Sequence, residues 1–135
     1  MADLYSAASA DNYRMTKSKQ LIALASGVYN IIRIPKMAFV TNVWAFITTP
    51  YIGGTPTVIV GYIGDASTAV ADGFMTNDIF DPKVAGLKRA QHVSLETFEG
   101  KYFSAGSGSI TVTISTGSAT TLGRFNIFAS YSVIY

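Results

Sequence analysis

Residues 109–116, SITVTIST, alternate strictly between apolar and polar side chains. Ile110, Val112 and Ile114 share one side of an extended chain, because successive side chains of a strand point to opposite faces. Glycine- and serine-containing turn segments flank the run on both sides. The pattern predicts a strand with one buried face and one solvent face.

Residues 124–135, RFNIFASYSVIY, alternate in the same way. The apolar side of this predicted strand carries Phe125, Ile127, Ala129, Tyr131, Val133 and Tyr135. The other side carries Asn126, Ser130 and Ser132, and it is interrupted by Phe128 and Ile134. A second half-buried strand is therefore expected here.

Two further segments, residues 38–49 and 56–64, are apolar on both sides. On an unbroken strand, one face of the first segment would carry Phe39, Val43, Ala45 and Ile47, and the other Val40, Trp44 and Phe46. A strand of a two-layer sandwich normally buries one face only. The second face must then be covered by the domain's own arm or by another subunit, which favours a symmetric homo-oligomer or an assembly component.

The remaining segments are less regular. Residues 19–26, KQLIALAS, suit a short helix or a strand, and with the β-rich segment after Gly27 they suggest a hairpin-like pair. Residues 92–105 suggest one strand or two. The Ala-rich run after Gly64 suggests a turn or two of helix with Asp65 or Ser67 as its N-cap.

Together these segments predict an all-β fold. It is an antiparallel, jelly-roll-like β-sandwich of seven to eight strands with one short helical or irregular excursion near residues 65–90. Residues 1–16 are expected to form an extended N-terminal arm, and residues 17–135 a single domain.

The composition restricts the chemistry. The 135 residues are 49% hydrophobic and 13% charged and include no cysteine, which excludes disulfides, thiolate nucleophiles and cysteine-based zinc sites. The first third is basic, with Arg14, Lys17, Lys19, Arg33 and Lys36, and the middle is acidic, with Asp65, Asp72, Asp78 and Asp81. One end of a molecule could complement the other end of a neighbour, the arm could meet an acidic surface, or the charges could simply be solvated.

Catalytic side chains are few. The one histidine is His92, and the sequence contains no G-x-S-x-G nucleophile motif with which it could act as a base. Glu96 and Glu99 would point to opposite faces of a strand and could not form a paired acid–base site. We therefore expect no enzyme and no cofactor.

Ligand sites compete with simpler explanations. Asp65, Asp72, Asn77, Asp78 and Asp81 could supply oxygen ligands for calcium, but their spacing is not that of an EF-hand, and turn or capping roles explain them better. The glycine-rich stretches YIGGTP and GSGS match no phosphate-binding loop, and the small net charge of +2 argues against a nucleic-acid module. Carbohydrate binding on exposed aromatic side chains stays an open hypothesis. The alternative interpretation is that Trp44 is a core residue.

Residues 42–74, NVWAFITTPYIGGTPTVIVGYIGDASTAVADGF, resemble a stretch of small structural proteins of tailed bacteriophages. In those proteins a long strand ends in a GGTPT-like turn, and a strand with a (V/L)x(V/I)GxxGD pattern and an Ala-rich segment follow. The family is that of the jelly-roll head proteins that decorate or extend capsids.

The resemblance implies a non-enzymatic virion component, assembled in the host cytoplasm. Its expected role is that of a capsid decoration or cement protein that acts as a homo-oligomer, with a trimer favoured. Its partners would be copies of itself and the major capsid protein or other virion proteins, with no membrane and no specific nucleic acid. Receptor-binding or fibre-tip recognition of a host glycan, and a tail or neck role, are the alternatives. The residues expected at protein contacts are Arg14, Lys17 and Lys19 in the arm and Trp44, Phe46 and Tyr131 on strand faces.

Overall fold

The computed structural model describes residues 14–89, 100–117 and 119–134. These residues form nine strands and no helix. The strands are β1 (Arg14–Ile22), β2 (Gly27–Ile34), β3 (Ala38–Thr49), β4 (Thr57–Gly64), β5 (Ser67–Met75), β6 (Gly86–Arg89), β7 (Lys101–Tyr102), β8 (Gly108–Ser115) and β9 (Arg124–Val133). The described residues accordingly include no helix long and apolar enough to cross a membrane.

The strands form two antiparallel sheets. Sheet A has the order β1-β9-β3-β6, with the short β7 also paired to β3, and sheet B has the order β2-β8-β4-β5. Most consecutive strands lie in different sheets, as in a jelly roll, whereas β4 and β5 are paired neighbours in sheet B and β6 and β7 both pair with β3 in sheet A. The prediction of an all-β, jelly-roll-like sandwich is confirmed, with nine strands instead of seven to eight.

The prediction of a helix in the Ala-rich segment is wrong. Residues 67–75 are strand β5, which pairs with β4, so the backbone hydrogen bonds of the sheet override the helix propensity of alanine. Asp65 is no N-cap, because it lies in the β4–β5 turn with a positive φ of 58°. The irregular part of the excursion is confined to residues 76–85.

The hairpin-like pair predicted for the first two strands is also wrong. β1 pairs with β9 in sheet A and β2 pairs with β8 in sheet B, so residues 23–26 cross from one sheet to the other. Ala23 has a positive φ of 51° at this crossing. Sequence alternation identifies strands but not their partners.

The first described residues bear on the predicted N-terminal arm. Arg14, Met15 and Thr16, which were assigned to the arm, are the first residues of β1 and pair with β9. Residues 1–13 lie outside the described ranges. The arm, and the boundary between residues 1–16 and 17–135, therefore stay a prediction.

The core lies between the two sheets. Its inward side chains from β8 and β9 are those expected from the alternation, which confirms both assignments: Ile110, Val112, Ile114, Phe125, Ile127, Ala129, Tyr131 and Val133 are all buried. Phe74 of β5 and Phe80 of the irregular segment after it are buried in the same core. The chain thus closes its hydrophobic centre with residues from almost every strand.

A β-bulge corrects the assignment of faces in β3. The register against β9 shifts between Val40 and Asn42, so one extra residue changes which side chains point inward. Val40 is fully buried and Phe39 is only partly buried, the reverse of the expectation for an unbroken strand. Trp44 and Phe46 still point outward.

The outer face of β4 is covered by the chain itself. The register between β4 and β5 shifts on both sides of Tyr62, and the backbone of β5 folds over Gly61. A Cβ at Gly61 would come within 1.9 Å of the Val70 carbonyl oxygen, so only glycine fits beneath this bulge. The cover is partial, because Ile63 at the end of β4 is 41% exposed. Of the two segments that are apolar on both faces, β4 is therefore covered within the subunit only around Gly61.

Candidate interaction surface

The outer face of sheet A carries a cluster of large apolar side chains. Trp44 of β3 pairs with Phe128 of β9, and Phe46 pairs with Leu87 of β6. Paired residues in an antiparallel sheet point to the same side, so the four side chains form one patch, which we call the aromatic face. Phe46 is 43% exposed and Leu87 is 55% exposed, while Trp44 and Phe128 are half-buried.

Arginine and asparagine border this patch. Arg89 pairs with Trp44 on the β6 side, and Asn126 pairs with Phe46 on the β9 side. Tryptophan, phenylalanine and arginine are enriched at protein interfaces, where a few of them supply most of the binding free energy. The composition of the aromatic face is therefore that of an interaction surface.

Asn126 adds a polar feature to the aromatic face. Its side-chain oxygen is buried and accepts no hydrogen bond from the described part of the chain. An unsatisfied buried acceptor costs about 1–3 kcal/mol.

The structure separates the three aromatic residues predicted at protein contacts. Trp44 and Phe46 lie together on the aromatic face, and the alternative of Trp44 as an inward core residue is not what the structure shows. Tyr131 is 1% exposed and points into the core, where its hydroxyl lies 3.5 Å from the sulfur of Met15. Because the subunit itself buries Tyr131, this side chain offers no surface to a partner.

The three basic residues predicted for the arm lie in β1. Arg14 and Lys19 are exposed, whereas Lys17 is partly buried on the inner face. The Lys17 ammonium group lies 5.5 Å from the centre of the Tyr131 ring and 3.4 Å from the Arg33 carbonyl oxygen of β2. The backbone of all three residues is therefore fixed at the edge of the sandwich by the pairing of β1 with β9.

Phe128, Leu87 and Arg89 belong to the aromatic face but were not predicted there. The position of Phe128 on an otherwise polar strand side was a signal in the sequence. The pairing of Leu87 and Arg89 with β3 had no such signal, because β6 follows an irregular segment.

An ion pair joins the two sheets at one end of the sandwich. The Lys101 ammonium group of β7 donates to the Asp65 carboxylate at 2.6 Å, and Asp65 also accepts the Ala105 N–H at 2.7 Å. The Lys101 ammonium group lies 4.9 Å from the centre of the Tyr62 ring and 5.4 Å from that of Phe103. The hydrogen bond from Lys101, then that from Ala105, lowers the pKa of the Asp65 carboxyl below its ordinary value of 3.8.

We expect Asp65→Asn to change the acid dependence of stability. A lowered carboxyl pKa means that the ionised form stabilises the folded state above pH 3.8, and that this contribution disappears as the pH falls through the folded-state pKa. The free energy of unfolding of the native chain should therefore exceed that of the variant at neutral pH, and the two should converge as the pH falls through the lowered pKa of Asp65. Urea titrations at each pH measure both values.

Lys101→Met provides the control for this prediction. Methionine keeps an apolar stem beside Tyr62 and Phe103 but removes the ammonium group that pairs with Asp65. In this background, Asp65→Asn should have a smaller effect on unfolding at pH 7. An equal effect in both backgrounds would show that the ion pair is not the cause.

The described residues contain no group of three or more His, Asp or Glu side chains placed to hold a metal ion. Asp65 is engaged with Lys101, and the Asp81 carboxylate accepts the Lys83 N–H at 3.0 Å, as in a turn. His92, Glu96 and Glu99 lie outside the described residues.

The fold is shared with chains of three phage capsid structures. A chain of the acidic stable capsid structure of Helicobacter pylori bacteriophage KHP30 matches with a TM-score of 0.64 and 13% identity, over 92% of this chain and 94% of that chain. A chain of the cyanophage Pam1 capsid asymmetric unit matches with a TM-score of 0.62 and 13% identity, over 90% and 84%. A chain of the capsid of Ralstonia phage GP4 matches with a TM-score of 0.55 and 16% identity, over 93% and 85%.

At these identities the matches show a common fold. The likeness to β-sandwich proteins of phage particles, suggested by residues 42–74, is confirmed at this level. No protein-family model and no curated protein matches the sequence.

Proposed function

We propose that this chain is a non-enzymatic structural protein of a phage virion that decorates or cements the capsid shell as a homo-oligomer, with a trimer favoured. The observation that carries the proposal is the extent of the structural matches. They cover at least 90% of this chain and at least 84% of each matched capsid chain, so the matched chains are of similar size and consist almost entirely of this sandwich.

The aromatic face supports a role in assembly. It exposes Phe46 and Leu87 beside Trp44 on a sheet that the described chain does not cover. A stable protein–protein contact buries about 800 Å² per partner. The outer face of the five-stranded sheet A, with its aromatic centre, provides a surface suited to such a contact, and we assign it to the shell.

The mechanism is passive. Each bound copy would bury apolar surface, and the free energy gained would be multiplied by the number of copies on the particle. Such binding would stabilise the shell against internal pressure without any chemical step. The predicted arm of residues 1–16 would add contacts to a neighbouring subunit or to the shell.

Co-sedimentation with capsids of the source phage that lack this protein tests the proposal. We expect saturable binding, with a fixed number of copies per particle, and a higher temperature of capsid disruption once the sites are filled. Bovine serum albumin at the same concentration controls for trapping in the pellet.

A failure to bind capsids would contradict the decoration role. The same protein should then be tested against purified tails and, by thermal shift, against a panel of host glycans. A rise in melting temperature with one glycan would support the receptor-binding alternative, in which the loops predicted at residues 50–56 and 65–90 would contact the sugar.

A further inference from the structure

The two edge strands β1 and β2 form a basic border on one side of the sandwich. β1 is an edge strand of sheet A, β2 is an edge strand of sheet B, and the two strands contact each other. This border, which we call the basic edge, consists of Arg14, Lys17, Lys19, Arg33 and Lys36. All except Lys17 are exposed.

The basic edge has no carboxylate on its own strands or on their neighbours. β1 pairs only with β9, and β2 only with β8, among the described strands. None of these four strands contains Asp or Glu. Among the described residues, these paired strands supply no carboxylate to neutralise the positive charge, which is therefore suited to a partner.

The side chains on β1 also exclude the simplest kind of edge contact. Lys17 and Lys19 lie on the inward side of an edge strand, where charged residues prevent indiscriminate pairing with other strands. Two basic edges would repel each other, which disfavours a two-fold symmetric contact through this border.

The opposite border of sheet B is acidic. β5 is the other edge strand of this four-stranded sheet, roughly 15 Å from β2 at the usual strand spacing. Asp72 lies in β5, and Asp78 and Asp81 follow in the irregular segment; all three are exposed. We call these three residues the acidic edge. Lys83, the nearest cation in sequence, directs its ammonium group to the Gly54 carbonyl oxygen at 3.3 Å.

We propose that the basic edge of one subunit docks on the acidic edge of a second copy of this chain. The contact is head-to-tail, since it joins two different borders of the same molecule, and repetition of one such contact closes into a ring when the rotation allows. The inference rests on the proposed homo-oligomer and names its contact. It leaves the aromatic face free for the shell.

Charge reversal on each edge tests the contact. One variant carries Lys19→Glu and Arg33→Glu, a second carries Asp72→Lys and Asp78→Lys, and a third carries all four changes. Sedimentation equilibrium at low and high salt measures association. We expect the native chain to associate, with an affinity that falls as salt rises, and each two-residue variant to associate at least about tenfold more weakly.

The decisive result is the mixture of the two two-residue variants. The first variant keeps the native acidic edge and the second keeps the native basic edge, so one native contact can form between them. They should therefore associate with each other although each associates only weakly alone. The third variant has the native net charge but no acidic border, so it should associate as weakly as each two-residue variant, which separates the contact from an effect of net charge. Lys19→Arg with Arg33→Lys keeps the charge at the same positions and should associate like the native chain.

Thermal unfolding of every variant shows whether it is folded. The proposal is overturned if the folded two-residue variants associate like the native chain, if their mixture does not associate, or if the native chain is monomeric at all concentrations tested. Capsid co-sedimentation of the same samples separates this outcome from the proposed function, since a monomer that binds shells would contradict the ring but not the decoration role.

Discussion

Trp44→Ala is expected to weaken binding to capsids by about 2–4 kcal/mol, which is roughly 30-fold to several hundredfold. Trp44 lies at the centre of the aromatic face, between Phe128 and Arg89, and its large ring would be fully desolvated by a partner. Quantitative co-sedimentation over a range of protein concentrations gives the two dissociation constants.

The matched control is Val28→Ala. Val28 is 69% exposed on β2, which belongs to the other sheet from the aromatic face. Its replacement by alanine should leave the dissociation constant for capsids within about twofold of the native value. Phe46→Ala, at the neighbouring position of the same face, should weaken binding as well. If Trp44→Ala remains folded and binds capsids as tightly as Val28→Ala does, the aromatic face is not the capsid-binding surface.

The sequence was sufficient to predict the fold class because the strands with strict alternation carry the core. β8 and β9 were identified with the correct inward residues, and both lie at the centre of their sheets, where burial of one face enforces a period of two. Central strands are the most constrained by this pattern, so their sequences are the most informative.

The errors occurred where pairing decides the conformation. β5 is Ala-rich and at a sheet edge, and its hydrogen bonds with β4 make it a strand in spite of its composition. β1 is polar on most of its length because it is an edge strand, so its first three residues were assigned to the arm and residues 19–26 suited either a helix or a strand. A bulge in β3 exchanged the faces of Phe39 and Val40, and no local residue pattern indicates where a bulge falls.

The candidate site was predictable in part for the same reason. Trp44 and Phe46 stood out as apolar residues on the second face of a long strand, and no described segment of the chain covers that face. Their neighbours Leu87 and Phe128 lie more than 40 positions away in sequence, and Leu87 also follows an irregular segment. Only the strand register therefore brings these residues into one patch.

Phe80 anchors the irregular segment that carries the acidic edge. It is fully buried although no regular strand or helix holds it, and its ring packs edge-on against Phe125 with the ring centres 5.0 Å apart. The carbonyl oxygen of nearby Pro82 accepts the Tyr51 N–H at 2.9 Å, which ties the same segment to the loop after β3. Asp78 and Asp81 flank this anchor.

Phe80→Ala is therefore expected to lower the free energy of unfolding by about 3–5 kcal/mol, the usual cost of removing a buried phenylalanine side chain. For a domain of this size the melting temperature should fall by roughly 10–20 °C. Val84→Ala, at a position 49% exposed in the same segment, should cost less than about 1 kcal/mol.

Chemical denaturation of the three proteins distinguishes an anchored segment from a loose loop. If Phe80→Ala is no less stable than Val84→Ala, the segment does not depend on its aromatic contact, and the position of the acidic edge would not be fixed by the core. If the large loss is found, the two borders proposed to meet in the oligomer are both held by the same hydrophobic core, because Phe125 contacts Phe80 and lies in β9, the strand that pairs with β1. Destabilising that core should then weaken self-association before it unfolds the subunit, which sedimentation of Phe80→Ala below its melting temperature would measure.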